Sequence, residues 1–203
     1  STLGGWIATR SAGQNSTKYG KIEHLVRGLT IHTPQGIIHT NTAPASATGP
    51  SIKELLVGSE GIYGFITQAT VKIFPRPETQ RFIPCFFDSL SSGIMAVREI
   101  MQAGLTPSLV RLSDATETNM FLKMALGSIT KKIFGQVWLK FKHVNTETCF
   151  CLLATEGSKD EVRFAARQIK SFVKKNSGRV LSASFGEKWQ RERFELPYLR
   201  DDL

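Results

Sequence analysis

The chain has 203 residues, of which 41% are hydrophobic, and carries a formal net charge of +9 with an isoelectric point near 9.7. That composition allows a sizeable core and excludes a disordered chain, and no apolar run reaches the length of a membrane span. The positive balance fits an anionic partner: nucleic acid, a phosphorylated substrate, a dinucleotide cofactor or a membrane surface. The Lys and Arg residues are nevertheless scattered, with modest concentrations over 131–142 and 163–179, which equally suits a solvated surface.

The first residues, Ser1-Thr2-Leu3-Gly4-Gly5, hold no basic segment of a signal peptide and no Met, so the chain reads as a piece of a longer one. Gly4 to Gly13 is glycine-rich and small, which predicts a tightly packed turn or a close approach to a flat ligand. Residues 25–33 and 37–40 predict the two strands of a hairpin. Between them Thr33-Pro34-Gln35-Gly36 places Pro and Gly where a turn favours them. After a polar loop over 40–50, Ser51 predicts a cap on a short helix over 52–57, with Glu54 at the third position. Gly58-Ser59-Glu60-Gly61-Ile62-Tyr63-Gly64-Phe65-Ile66-Thr67 then leads into a strand over 65–74. Read alone, this stretch is either a tight loop before a strand or a set of backbone donors open to a ligand.

Pro75-Arg76-Pro77 is a stiff, extended punctuation that predicts a domain boundary, giving domains over 1–75 and 76–203. The second part opens on a strand over 81–87. A helix over 89–103 follows, with Ile94, Val97 and Met101 spaced for one face. Residues 108–113 predict a short strand, and Asp114 with Glu117 predicts the start of another helix. Ile129, Ile133, Val137 and Phe141 recur at four-residue spacing among lysines, which suits core packing or a membrane-surface face. A strand over 148–155, a helix over 160–175, a strand over 179–184 and a short helix over 186–193 complete the order β-α-β-α-α-β-α-β. Such an order predicts an antiparallel sheet with helices on one face, an α+β fold.

Cys85, Cys149 and Cys151 form no ligand pattern and suit small apolar packing in a reducing compartment. His24, His32, His39 and His143 show no metal spacing, and no metal site is expected.

The motifs together carry more than any one of them. Gly4-Gly5-Trp6 with Thr9-Arg10 and Gly13 comes first, then Tyr19-Gly20, the Thr33-Pro34 hairpin and Thr48-Gly49-Pro50. The Gly58 to Thr67 stretch and the proline punctuation complete the series. In this order they resemble the later half of the FAD-binding domain of the vanillyl-alcohol-oxidase/PCMH flavoprotein superfamily, followed by its ferredoxin-like cap. Val110-Arg111-Leu112 and Tyr198-Leu199-Arg200-Asp201 add a likeness to the alkyldihydroxyacetonephosphate synthase family within it. The resemblance implies FAD contacts from Ser1 and Thr2, from Thr9, Arg10, Ser11 and Ala12, and from Glu60, Gly61, Ile62, Tyr63, Gly64, Phe65 and Ile66. Backbone donors and small residues are what an isoalloxazine and a pyrophosphate need, and these stretches supply both. Ile62-Tyr63 departs from the family's common Thr-Leu.

By the same resemblance Arg111 is the catalytic arginine and Arg200 holds the substrate; a guanidinium fork suits a phosphate. From the residues alone, a salt-bridged or surface-paired arginine is the competing reading for each. The implied activity is exchange of the acyl group of acyl-dihydroxyacetone phosphate for a fatty alcohol, by covalent attachment of the substrate at the non-covalently held flavin and without net redox change. The family's phosphate loop and its catalytic tyrosine and histidine-rich segment have no match here, so the piece alone is expected to be inactive. Dehydrogenation or oxidation of a 2-hydroxy acid on the same fold is the alternative, with arginine holding a carboxylate. A basic nucleic-acid module is a remote third reading, since no aromatic stripe lines a basic groove. A phosphorylated or carboxylated lipid-like substrate is the expected partner, with no nucleic acid. Peripheral membrane contact, a homodimer, and a cytoplasmic (bacterial) or peroxisomal (eukaryotic) location are compatible with it.

Overall fold

The computed structural model describes residues 2–43, 47–125 and 144–192. It divides into two compact units, 1–76 and 77–203.

The first unit opens with helix α1 (Leu3–Ala8), where the sequence predicts a turn. Two glycines do not prevent the helix, because Thr2 caps it, its hydroxyl accepting the Gly5 N–H at 3.1 Å, and Ile7 is fully buried beneath it. Short helices α2 (Ser16–Tyr19) and α3 (Ile22–Leu25) lead into β1 (Val26–Thr33) and β2 (Gly36–His39). These form the expected antiparallel hairpin, with Thr33 paired to Gly36 across the turn. Helix α4 (Ile52–Leu56) is capped by Ser51, whose hydroxyl accepts the Glu54 N–H. Strand β3 (Phe65–Val71) stops short of the expected residue 74 and pairs antiparallel to β1, so β1 is central in the order β2-β1-β3. Ile7, Ile22, Val26, Leu29, Ile31, Leu56 and Val57 form the core of this unit. Each such side chain contributes roughly 1.5–3 kcal/mol on burial.

The second unit is a four-stranded antiparallel sheet of β4 (Thr79–Phe87), β5 (Leu109–Leu112), β6 (Cys149–Gly157) and β7 (Arg179–Val180), in the order β5-β6-β4-β7. With crossover helices α5 (Leu90–Gln102) and α7 (Lys159–Lys175), this is the ferredoxin-like order, its first and third strands in the middle. Pro84 sits within central strand β4 yet breaks no bond there. Its missing N–H lies on the side of the two-residue edge strand β7, and its carbonyl accepts the Leu181 N–H.

Alternation along β4 and β6 divides the core. Ile83, Cys85, Phe87, Cys151 and Leu153 meet Ala96 and Ile100 of α5 and Ala166, Ile169 and Val173 of α7. Phe82, Leu152 and Ala154 lie on the opposite face with Leu109, joined by Trp189 of α8 (Ser184–Glu192). The sheet therefore carries helices on both faces rather than one; Gly186 of α8 packs against Phe82 so closely that a Cβ would lie 2.3 Å from it. Helix α5 also differs from expectation. It buries Gly93, Ala96 and Ile100, while Ile94 and Met101 remain 52% and 41% exposed and only Val97 packs against the core. The short β7 replaces the longer strand expected over 179–184.

The three cysteines are free and buried. Cys85 and Cys151 face one another in register; contact with Cys151 together with burial pushes the Cys85 thiol well up, so both serve as core packing. Among the described residues no helix is long and apolar enough to cross a membrane, and no group of three or more His, Cys, Asp or Glu gathers as for a metal ion. The stripe at Ile129, Ile133, Val137 and Phe141 lies outside the described residues.

Candidate functional site

Two of the stretches expected to face a flavin are brought together in the first unit. The end of α1 and the loop after α4 are joined by the Gly58 N–H to the Ile7 carbonyl at 2.9 Å and the Glu60 N–H to the Ala8 carbonyl at 3.1 Å. Thr9 donates its hydroxyl to the Gly5 carbonyl at 3.0 Å and lies 2.9 Å from the Ser11 hydroxyl. Gly64, at φ +144°, lies so close to β1 that a Cβ would sit 2.1 Å from the His32 carbonyl oxygen, which fixes the entry into β3. The side chains of Ile62 and Phe65 stand out from this loop, 82% and 81% exposed, while Ile66 turns into the core. Tyr63, where the sequence departs from the family pattern, is also exposed.

These loops suit an FAD wall on their own geometry. Among the described residues the N–H groups of Ala12, Gly61 and Tyr63 have no acceptor. Around Gly61 a Cβ would meet nothing within 4 Å, so a planar ligand can reach the backbone there. Outward amide donors on loops fixed by their neighbours are the donor chemistry that flavin oxygens and phosphates require. Arg10 stands apart from the rest of its stretch. Its Nε donates to the Val57 carbonyl at 2.9 Å and its Nη2 to the Glu54 carbonyl at 3.0 Å. Thr2, expected to touch the flavin, uses its hydroxyl as the α1 cap. Ser1 lies outside the described residues, as does Arg200.

The second unit holds Arg111 on β5. Its register partner is Leu152, which places it on the Phe82, Leu109 and Trp189 face of the sheet, opposite α5 and α7. Helix α6 (Ala115–Ala125) supplies its neighbours. Arg111 Nη2 donates to Glu117 Oε1 at 2.6 Å, and the guanidinium lies 5.3 Å from the Phe121 ring centroid. Among the described residues its Nε and Nη1 have no acceptor, so the fork retains donors for a ligand anion. Burial works to raise the Glu117 carboxyl, but neighbouring Ser113 and the Arg111 guanidinium outweigh it and hold it below the usual carboxylate range.

Glu117 and Phe121 are the residues the sequence does not reveal as partners of Arg111. Glu117 reads as a helix-start residue, and half of that reading holds, since its N–H donates to Asp114 Oδ1 at 2.7 Å. Its carboxylate goes to Arg111 instead, six positions back across the strand-to-helix turn. Only the spacing of a strand arginine before an acidic first turn hinted at that contact.

Residues 76–200 match the family described as FAD linked oxidases, C-terminal domain, and residues 1–41 match the FAD binding domain family. The chain belongs to the family of FAD-linked oxidases. It is 35% identical over 99% of its length to the alkyldihydroxyacetonephosphate synthase of Caenorhabditis elegans, and covers 35% of that protein. A D-lactate dehydrogenase of Anaerostipes hadrus is 29% identical over 90% of the chain, which covers 36% of it. A solved structure of alkyldihydroxyacetonephosphate synthase superposes on the whole chain with a TM-score of 0.84 at 29% identity, the chain covering 37% of that structure. The chain thus spans about a third of the length of the relatives it matches. FAD is the cofactor of this family, and here the match to its FAD binding domain precedes the match to its C-terminal domain.

Proposed function

We propose that this chain supplies one wall of the flavin site and the anion-holding sheet of an FAD enzyme that exchanges the acyl group of acyl-dihydroxyacetone phosphate for a fatty alcohol. The observation that carries the reading is Arg111. A guanidinium held by Glu117 and Phe121 on a sheet face, with Nε and Nη1 still able to donate, is built to receive an anionic oxygen. Similarity to the synthases along the whole chain supports phosphate as that anion. The bound FAD would supply the electron-accepting ring at which the substrate reacts. Thr9, Ser11 and Ala12 on one loop and Glu60 to Ile66 on the other would seat it, largely through backbone N–H groups. Arg111 would hold and polarise the phosphorylated substrate, and Arg200 would share that binding.

The likeness to a D-lactate dehydrogenase over 90% of the chain favours a second reading, in which the same arginine would hold the carboxylate of a 2-hydroxy acid and the bound FAD would supply a hydride acceptor. Anaerobic titration of the full-length protein with a series of 2-hydroxy acids separates the two. The exchange reading predicts that the oxidised flavin absorbance stays unchanged; bleaching by such an acid would overturn it in favour of dehydrogenation.

A further inference from the structure

We infer that Arg10 is a positioning residue for the flavin wall, acting through the backbone of the 54–61 segment rather than by touching the cofactor; this rests on the FAD reading above. Helix α4 ends at Leu56, and its last carbonyls have no partner inside the helix. Arg10 provides one: Nε and Nη2 donate to the carbonyls of Val57 and Glu54, the two engaged donors lying on one edge of the guanidinium plane. Arg10 takes the left-handed backbone conformation, φ 49°, where α1 ends, its N–H returning to the Ile7 carbonyl at 3.3 Å and the Ser11 N–H to the Trp6 carbonyl at 2.9 Å, so the start of its side chain is fixed by the helix end.

The opposite loop is fitted to this side chain. At Gly58, φ +85°, a Cβ would fall 2.5 Å from Arg10 Cγ and 2.7 Å from its Cδ and Nε, so any larger residue displaces the guanidinium. The same Gly58 and its neighbour Glu60 donate to the carbonyls of Ile7 and Ala8, on the turn that leads into Arg10. Arg10, Gly58 and the end of α1 therefore form one interlocked unit. The backbone donors assigned to the flavin follow directly on either side of it: Ala12 two residues after Arg10, Gly61 three after Gly58. A flavin bound across both loops meets donors whose spacing is already set, so the cost of ordering them at binding is removed.

The test uses the full-length protein and three variants, Arg10→Ala, Arg10→Lys and Gly58→Ala, stripped of FAD. Backbone hydrogen exchange is read at Gly58 and Glu60, and FAD affinity by flavin fluorescence at several salt concentrations. The expected result is at least tenfold faster exchange at both amides in all three variants. FAD affinity should fall about tenfold or more, with the salt dependence of the parent. Lysine should rescue little, because a single ammonium cannot reproduce the two-carbonyl fork. Wild-type exchange at Gly58 and Glu60 in Arg10→Ala would overturn the inference. Recovery of affinity in Arg10→Lys with a shallower salt dependence in Arg10→Ala would do so too, since that marks a direct ionic contact with FAD phosphate. A parent that binds no FAD while Arg10→Ala still exchanges faster would instead refute the flavin reading and leave the interlock standing.

Discussion

Arg111 presents its charge from a half-buried strand position, and its geometry is held by neighbours on one adjacent helix. On the proposed reading, losing it removes a charge-assisted interaction of about 1.5–3 kcal/mol with substrate. Arg111→Ala in the full-length enzyme should therefore lower kcat/KM roughly 10- to 100-fold, with Arg111→Lys in between; steady-state kinetics on the exchange reaction check this. Its partner Glu117 carries a pH signature. The folded-state carboxyl lies below the unfolded value of about 4.3, so its stabilisation is complete above that pH and disappears as pH falls through the folded pKa. With both side chains partly exposed, at 30% and 41%, the pair stabilises by about 0–1 kcal/mol. Urea titration should show Glu117→Gln less stable than the parent by that amount at about pH 6, with the gap narrowing as pH falls below the usual carboxylate range. A gap that does not narrow would assign the loss to something other than this ion pair. The sequence marks Arg111 and Arg10 alike as ligand arginines, because residue type and motif position are all it offers. What separates them is where their donors go, and that depends on Val57 and Glu54, more than forty positions from Arg10.

At the scale of single elements, local chemistry was readable at Ser51, which caps α4, and at Thr33 to Gly36, which closes the hairpin as its residues require. Ser89 and Ser158 cap α5 and α7 in the same way. The cap on α7 is reciprocal: the Ser158 hydroxyl accepts the Glu161 N–H while the Glu161 carboxylate accepts the Ser158 N–H at 2.8 Å. Ser158→Ala should cost about 1 kcal/mol, and Ile169→Ala, on the buried face of the same helix, about 2–5 kcal/mol. Guanidinium chloride midpoints measure both. The buried face of α5 was not readable. Apolar size points to Ile94, Val97 and Met101, but the helix approaches the sheet through its smallest residues: a Cβ on Gly93 would stand 2.7 Å from Leu112. Close approach selects small side chains at Gly93 and Ala96 beside the buried Ile100, and leaves Ile94 and Met101 on the flank. In α1 the glycines misled in the opposite sense, since the Thr2 cap and the burial of Ile7 outweigh their poor helix propensity.

For the whole molecule, the order of motifs carried more than their composition. The α+β class and the split βαβ order of the second unit were legible, because each depends on residues in sequence order. The second helical face of the sheet was not, because α8 reaches it through distant contacts, the meeting of Gly186 with Phe82 and of Trp189 with the Phe82, Leu109, Leu152 and Ala154 cluster. The activity proposed for the protein containing this chain is exchange of an acyl for an alkyl group on a phosphorylated ketone, with FAD bound. The most direct measurement incubates that full-length protein with acyl-dihydroxyacetone phosphate and isotopically labelled fatty alcohol while the flavin spectrum is followed. The prediction is labelled alkyl product and free fatty acid in equal amounts, with the flavin oxidised again at the end of turnover. No label in the phosphorylated product, from protein that holds FAD in full, would contradict it.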